Sequence, residues 1–117
     1  MLKIYQNENS KQVIISKEEL QLNGWKELIA GSVDAAVEKH VPVVTKKCKT
    51  VQVDVGSVTH PMTEEHWIEW VALETEKGLQ MQYLKANEAP SCTFKLADGD
   101  KAVAVYAYCN LHGLWKA

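Results

Sequence analysis

The feature that most restricts the fold is a two-residue alternation that returns, after short turn signals, along most of the chain. Val51, Val53 and Val55 alternate with Gln52, Asp54 and Gly56, and Leu79, Met81 and Tyr83 alternate with Gln80 and Gln82. Successive side chains of a strand point to opposite faces, so each such run marks a strand with one face turned inward. Trp67–Thr75 and Ala102–Tyr108 are dense in aromatic and branched residues, Phe94 and Leu96 mark a shorter strand, and Glu76-Lys77-Gly78 and Asp98-Gly99 supply turns. No helical period of useful length competes. Short strands at regular intervals predict an all-β sandwich. On the last strand Val103, Val105, Ala107 and Cys109 share one face as a core-facing row, and Tyr106 and Tyr108 share the other.

The first part of the chain differs. Leu2–Tyr5 and Gln12–Ile15 read as a hairpin around Asn-Glu-Asn-Ser, and Ser16 with Glu19 forms a capping box that predicts a short helical turn. The stretch AGSVDAA separates this region from the rest, which divides the chain into a small segment at 1–35 and a sandwich domain at 36–117. The total of 117 residues suits one domain with a real core. A formal charge of −2, with 13 lysines and no arginine against 15 acids, gives no basis for nucleic-acid binding. No apolar run reaches the roughly 18 residues of a membrane span, and the first residues lack the pattern of a signal peptide, so a cytoplasmic protein is expected. The three cysteines, at 48, 92 and 109, are odd in number and widely spaced. They argue against a disulfide framework and against a closed four-cysteine metal site.

The chemistry-bearing residues are the four histidines. His40, His60, His66 and His112 each lie at or beside an inferred strand end or loop, and His112 follows Cys109 by three residues in CNLHGLW. The Cys109–His112 pair alone has an ordinary explanation, a buried thiol beside an unrelated surface imidazole, and the His60–His66 spacing is no more specific. Together, placed at the margins of one sandwich, they suggest a metal site. Imidazole suits Fe, Cu, Zn and Ni, while thiolate favours Cu(I), Zn or iron. Structural zinc takes four ligands, so five candidates fit it poorly. An octahedral ion with five protein ligands keeps one position open. A divalent ion with neutral imidazoles and one thiolate carries a net single positive charge, which draws a small anion despite the negative chain.

At these residues the sequence resembles the superoxide reductase family, which includes desulfoferrodoxin and neelaredoxin. The matching stretches are EKHVPV (38–43), VGSVTHPMTEEHWIEWVALET (55–75), EAP (88–90) and AVYAYCNLHGLWK (104–116). The resemblance implies an immunoglobulin-like, seven-stranded β-sandwich carrying one iron per chain, cycling between Fe(II) and Fe(III). It assigns His40, His60, His66 and His112 as equatorial ligands and Cys109 as the axial thiolate opposite the open position. Glu38 and Lys39 match a Glu-Lys pair. The glutamate would take the sixth position of ferric iron, and the lysine would assist superoxide. The implied enzyme reduces superoxide by one electron to hydrogen peroxide, fed by a donor such as rubredoxin. A homodimer is expected, with a tetramer as the alternative. The segment before residue 36 contains no cysteine, so it reads as a degenerate desulforedoxin-like unit without metal, or as an unrelated extension.

The remaining expectations are more general. The amides of Leu111 and His112 are placed to donate to the Cys109 sulfur. Trp67, Trp70 and Trp115 are read as core residues without a catalytic role, and Cys48 and Cys92 as ordinary thiols. Lys46, Lys47 and Lys49 are candidates to steer superoxide or dock an acidic donor, or are simply a solvated face. The competing function is a blue-copper-like electron carrier, which calls for two histidines, a cysteine and usually a weak axial methionine. No methionine follows His112. A metal-free binding sandwich is the third reading.

Overall fold

In the computed structural model, residues 2–117 are described, and they form ten strands and one four-residue helix. Met1, the first residue of the expected N-terminal segment, lies outside them. The elements are β1 (Lys3–Asn7), β2 (Val13–Ser16), β3 (Trp25–Leu28), α1 (Val37–His40), β4 (Pro42–Lys47), β5 (Thr50–Val55), β6 (Ile68–Thr75), β7 (Leu79–Tyr83), β8 (Ser91–Lys95), β9 (Ala102–Cys109) and β10 (Gly113–Lys116). No described helix is long and apolar enough to cross a membrane.

The expected all-β sandwich is present. A four-stranded sheet, β10-β9-β6-β7, and a three-stranded sheet, β4-β5-β8, are both antiparallel. They enclose a core that includes Val51, Val53, Ile68, Leu73, Phe94 and Val105. The sequence of β9, AVAVYAYC, is apolar nearly throughout because this strand is buried on both faces. Val105, Ala107 and Cys109 face the sandwich core, while Ala104, Tyr106 and Tyr108 belong to a second apolar cluster with Ile4, Trp70 and Leu114. Strand β1 contributes Ile4 to that cluster, and Val13, Ile15 and Leu28 pack against it. A third sheet, β2-β1-β3, therefore covers the outer face of the four-stranded sheet. Each large aliphatic side chain buried there contributes about 1.5–3 kcal/mol.

Three expectations need correction. Val103 is 57% exposed and does not join the core row. The β6–β9 register passes from Glu74↔Ala104 to Thr75↔Ala102, leaving Val103 without a partner across the pair, and a bulge of this kind turns its residue out of the alternation. The Ser16–Glu19 capping box starts no helix. Ser16 Oγ instead accepts the N–H of Glu18 at 2.9 Å, a local turn that competes with helix formation. Strand β3, which pairs with β1, was not foreseen. The hairpin β1–β2 is as expected, its turn held by Asn7 Oδ1, which accepts the N–H groups of Asn9 and Ser10.

The register also gathers particular loops at one end of the sandwich. Pro42, two residues after His40, pairs with Val55, which precedes the loop carrying His60. Ile68, two residues after His66, pairs with Cys109, and Cys109 also pairs with Gly113 across the hairpin that holds His112. All five sequence-derived candidates thus belong to one rim.

Candidate metal centre

Three backbone devices shape this rim. Helix α1 ends at His40 and lies against Gly56. A Cβ at that position would sit 2.6 Å from the Glu38 carbonyl oxygen and 3.0 Å from that of Val41, so only glycine admits the approach. The Glu38 carbonyl accepts the N–H of Val58 at 2.9 Å and the hydroxyl of Ser57 at 3.2 Å. The loop before β6 is closed by Thr63 and His66, whose backbones exchange hydrogen bonds of 2.9 and 3.2 Å. Asn110 then joins the second and third ligand loops. Its Nδ2 donates to the Glu65 carbonyl at 2.9 Å, and its Oδ1 accepts the Trp67 N–H at 3.0 Å. The two peptide neighbours of His66 are thereby tied to the residue after Cys109.

The four imidazoles form a closed ring of near-perpendicular neighbours. Centroid separations are 4.7 Å for His40–His60, 4.6 Å for His60–His66, 5.1 Å for His66–His112 and 5.0 Å for His112–His40, with interplanar angles from 75° to 89°. The His40–His66 separation, 6.5 Å, exceeds every side, as the diagonal of a square must. One donor atom each from His40, His66, Cys109 and His112 lies within 4.8 Å of all the others. His60 stands outside that mutual group, but its Nε2 is 3.2 Å from His40 Nε2. Cys109 Sγ is 3.9 Å from His112 Nδ1.

Tautomers can be assigned from what the other ring nitrogens do. His40 Nδ1 lies 2.7 Å from the Ala36 carbonyl, and His60 Nδ1 lies 2.6 Å from the Pro61 carbonyl. A carbonyl only accepts, so both Nδ1 atoms carry the hydrogen and both Nε2 atoms present lone pairs. Those lone pairs face each other across 3.2 Å. Burial works against resolving the conflict by protonation. It lowers the pKa of His40 and His66, and it takes His60 down to about 4 against the opposing hydrogen bond to Pro61. His66 Nε2 is buried without a hydrogen-bond partner. A cation among these nitrogens would satisfy all of them at once, which is the usual role of carbonyl-bound imidazoles at metal sites. Cys109 fits the same reading. Burial raises its thiol pKa, while the N–H groups of His112 and Leu111 hydrogen-bond the sulfur and oppose the rise, as expected from the sequence. A metal ion would hold it as thiolate.

Glu38 and Lys39, on α1, are exposed. Their charges are felt at the ring: Glu38 raises the His40 pKa, and Lys39 lowers those of His40 and His66. Lys46, Lys47 and Lys49 are exposed and lie toward the far end of β4 and the turn beyond it. Strand β4 runs from the rim at Pro42 to Lys47, about 17 Å at the rise of an extended strand. That exceeds the screening length of about 8 Å in physiological salt, so the pull of Lys47 on an anion at the rim is largely screened. Cys48 is exposed and Cys92 is half-buried, its thiol pushed up to about 11 by burial and then by Asp54. Trp70 lies in the core as expected. Sequence reasoning missed the clamp role of Asn110 and the position of Trp115 beside His40. The spacing of CNLHGLW was the only signal for either.

A β-sandwich with four convergent imidazoles and a buried cysteine at one end defines a class of metal-binding redox proteins. The chain belongs to the desulfoferrodoxin family, whose profile, described as Desulfoferrodoxin, matches residues 32–117. It is 42% identical over 125 residues to a desulfoferrodoxin of Clostridium acetobutylicum, covering 99% of this chain and 95% of that one. Its structure is similar to the superoxide reductase from Treponema pallidum, with a TM-score of 0.85, 38% identity and coverage of 100% and 98%. It also resembles the superoxide reductase (1Fe-SOR) from Giardia intestinalis, with a TM-score of 0.59, 32% identity and coverage of 68% of this chain and 95% of that one.

Proposed function

We propose that this chain is a superoxide reductase holding one iron, with His40, His60 and His66 donating through Nε2, His112 through Nδ1, and Cys109 through its thiolate. The observation that carries the reading is the square of four imidazoles beside a buried cysteine, in which the inward nitrogens of His40 and His60 carry no hydrogen and that of His66 has no partner. Iron bound there would supply the single electron that, with two protons, turns superoxide into hydrogen peroxide.

The residues of the chain prepare that step. Low pKa values keep His40, His60 and His66 neutral and ready to donate to a metal. The two amides at Cys109 oppose the rise in its thiol pKa that burial causes, and would stabilise the sulfur as thiolate once a metal is bound. Lys39 brings a positive charge and N–H donors to the solvent side of the ring, where they attract a small anion. Glu38, fixed through its carbonyl but exposed at its carboxylate, is assigned the cover of the open position after turnover. The same reading includes a small acidic electron donor such as rubredoxin, a homodimer, a cytoplasmic setting suited to three free cysteines, and a division into a metal-free segment 1–35 and a catalytic unit 36–117. The blue-copper alternative is disfavoured because four imidazoles converge and the nearby methionine sulfur, Met62 Sδ, accepts the Ile68 N–H at 3.3 Å.

Pulse radiolysis of the reduced protein, with metal analysis of the same sample, tests the proposal. One iron per chain and decay of superoxide first-order in protein are expected, with the rate falling as salt is added. Copper with strong blue absorption, or no acceleration by an iron-loaded sample, would overturn it.

A further inference from the structure

One residue outside the donor set touches two of its members. Trp115, on β10, is 4% exposed. Its indole stacks on the His40 ring with centroids 4.9 Å apart and planes 29° from parallel. Its Nε1–H donates to the His112 carbonyl at 3.0 Å. His40 Nε2 and His112 Nδ1 are themselves only 3.2 Å apart. The indole therefore bridges two residues that are 72 positions apart in the chain and adjacent at the centre.

The two contacts act differently. His40 sits at the end of a helix of a single turn, too short to fix a side chain by itself. Its ring is held along one edge by the Ala36 carbonyl and meets the His60 and His112 rings at T-shaped angles, which restrains rotation about that hydrogen bond only in part. A flat partner against the ring face removes that freedom. The hydrogen bond to the His112 carbonyl restrains backbone, in a turn that already depends on Gly113 at φ +77°. The register Trp115↔Ala107 anchors the indole to the rigid strand β9, so the orientation it imposes comes from the sheet rather than from a loop.

We propose that Trp115 is a positioning residue of the metal centre, setting the plane of His40 by stacking. The proposal rests on His40 being a ligand. Trp115→Phe keeps a flat face and loses the N–H; Trp115→Leu loses both. Iron-loaded proteins are compared by the rate of iron release to a chelator and by the electron paramagnetic resonance of the ferric state, which reports ligand geometry independently of turnover. The leucine variant is expected to release iron at least ~10-fold faster, the range typical for loss of an outer-shell contact, with an altered ferric signal. The phenylalanine variant is expected to stay within about twofold of the unsubstituted protein, below the ~10–100-fold cost of losing an outer-shell contact, with its signal preserved. Leucine and phenylalanine variants that both match the parent would overturn the proposal. So would two variants equally impaired, because the hydrogen bond and not the stack would then carry the effect.

A measurement on the parent protein keeps the test decisive if the leucine variant does not fold. In the diamagnetic zinc-loaded form, the His40 ring protons should be displaced upfield by the indole ring current, and the displacement should persist in Trp115→Phe. His40 protons at ordinary shifts in the parent would mean that no stack exists. A parent that takes up neither iron nor zinc overturns the underlying ligand assignment, an outcome distinct from a loaded parent whose variants behave alike.

Discussion

The two ends of this molecule are built on opposite principles. The N-terminal sheet, β2-β1-β3, contains neither cysteine nor histidine and is held by apolar contact, with Ile4 and Tyr5 at 2% and 5% exposure. The rim of the sandwich concentrates all four histidines and the buried cysteine, with lone pairs facing one another. The first region gains stability from what it buries. The second gives stability up, because donor groups poised for a cation repel each other or stay unsatisfied without one. Function therefore resides where the fold is least self-sufficient, and the apolar layer behind β9 stiffens the strand on which that region depends.

The largest expected effect comes from the rim. Cys109→Ala should remove the sulfur donor and cost far more than the ~10–100-fold of an outer-shell change, leaving superoxide decay at background in pulse radiolysis. The metal-free fold should survive, since a small side chain replaces a small one. An active Cys109→Ala protein would dissolve the contrast between the two ends. Ile4→Ala should do the reverse. Deleting most of a fully buried aliphatic side chain costs about 2–4 kcal/mol, read as a lower urea midpoint, while iron content and the ferric spectrum stay unchanged. Loss of iron from the folded variant would show that the layer serves the site directly.

Acid sharpens the same comparison. An unfolded imidazole titrates near 6.5, whereas folded His60 titrates at about 4 and His40 and His66 also lie low, each chiefly through burial. Between those values the unfolded chain binds more protons than the folded one. The stability contributed by neutral imidazoles is thus complete above pH 6.5 and is lost as the pH falls toward 4. For His60 alone the span corresponds to a loss on the order of 3 kcal/mol. Glu69, whose carboxyl pKa is raised by burial, works in the opposite direction and offsets part of it. Urea midpoints of chelator-treated protein between pH 7.5 and 4 measure the net slope, and a flat profile would refute the inward-facing neutral ring. The N-terminal sheet, without histidine, adds no imidazole to this loss.

What was legible in the sequence follows the same division. Alternation exposes strands that have one wet face or a long apolar run, so β5, β6, β7 and β9 could be read directly. Strand β3, Trp-Lys-Glu-Leu, is too short to alternate convincingly, and the four residues of α1 carry no period at all. The bulge at Val103 depends on the register with β6, which is a property of two strands together. The four histidines and Cys109 were legible as candidates, as residue types at loop margins and through family resemblance. The square of the four imidazoles could not be read, because it depends on which strand ends are neighbours. Asn110 and Trp115 escaped for the same reason: each acts on residues distant in the chain, and neither belongs to a residue type that announces metal chemistry.

The smallest predicted effect lies where the two regions meet. Gln6, 3% exposed on β1, shares a hydrogen bond of 3.1 Å with the Tyr108 hydroxyl on β9, next in sequence to Cys109. Gln6→Leu keeps the apolar volume and removes that bond together with the one to the Lys11 carbonyl. A loss of about 1–2 kcal/mol is expected, about 1 for each hydrogen bond removed. The ferric spectrum should not change. Tyr108 and Cys109 point to opposite faces of β9, and the phenol ring stays fixed by stacking on Trp70, 5.4 Å away and nearly parallel. A hydroxyl that loses its partner can therefore relax without moving the strand. If the variant instead shifts the iron spectrum or potential at unchanged stability, the N-terminal sheet tunes the centre through Tyr108, and the separation between a region that stabilises and a region that reacts would have to be abandoned.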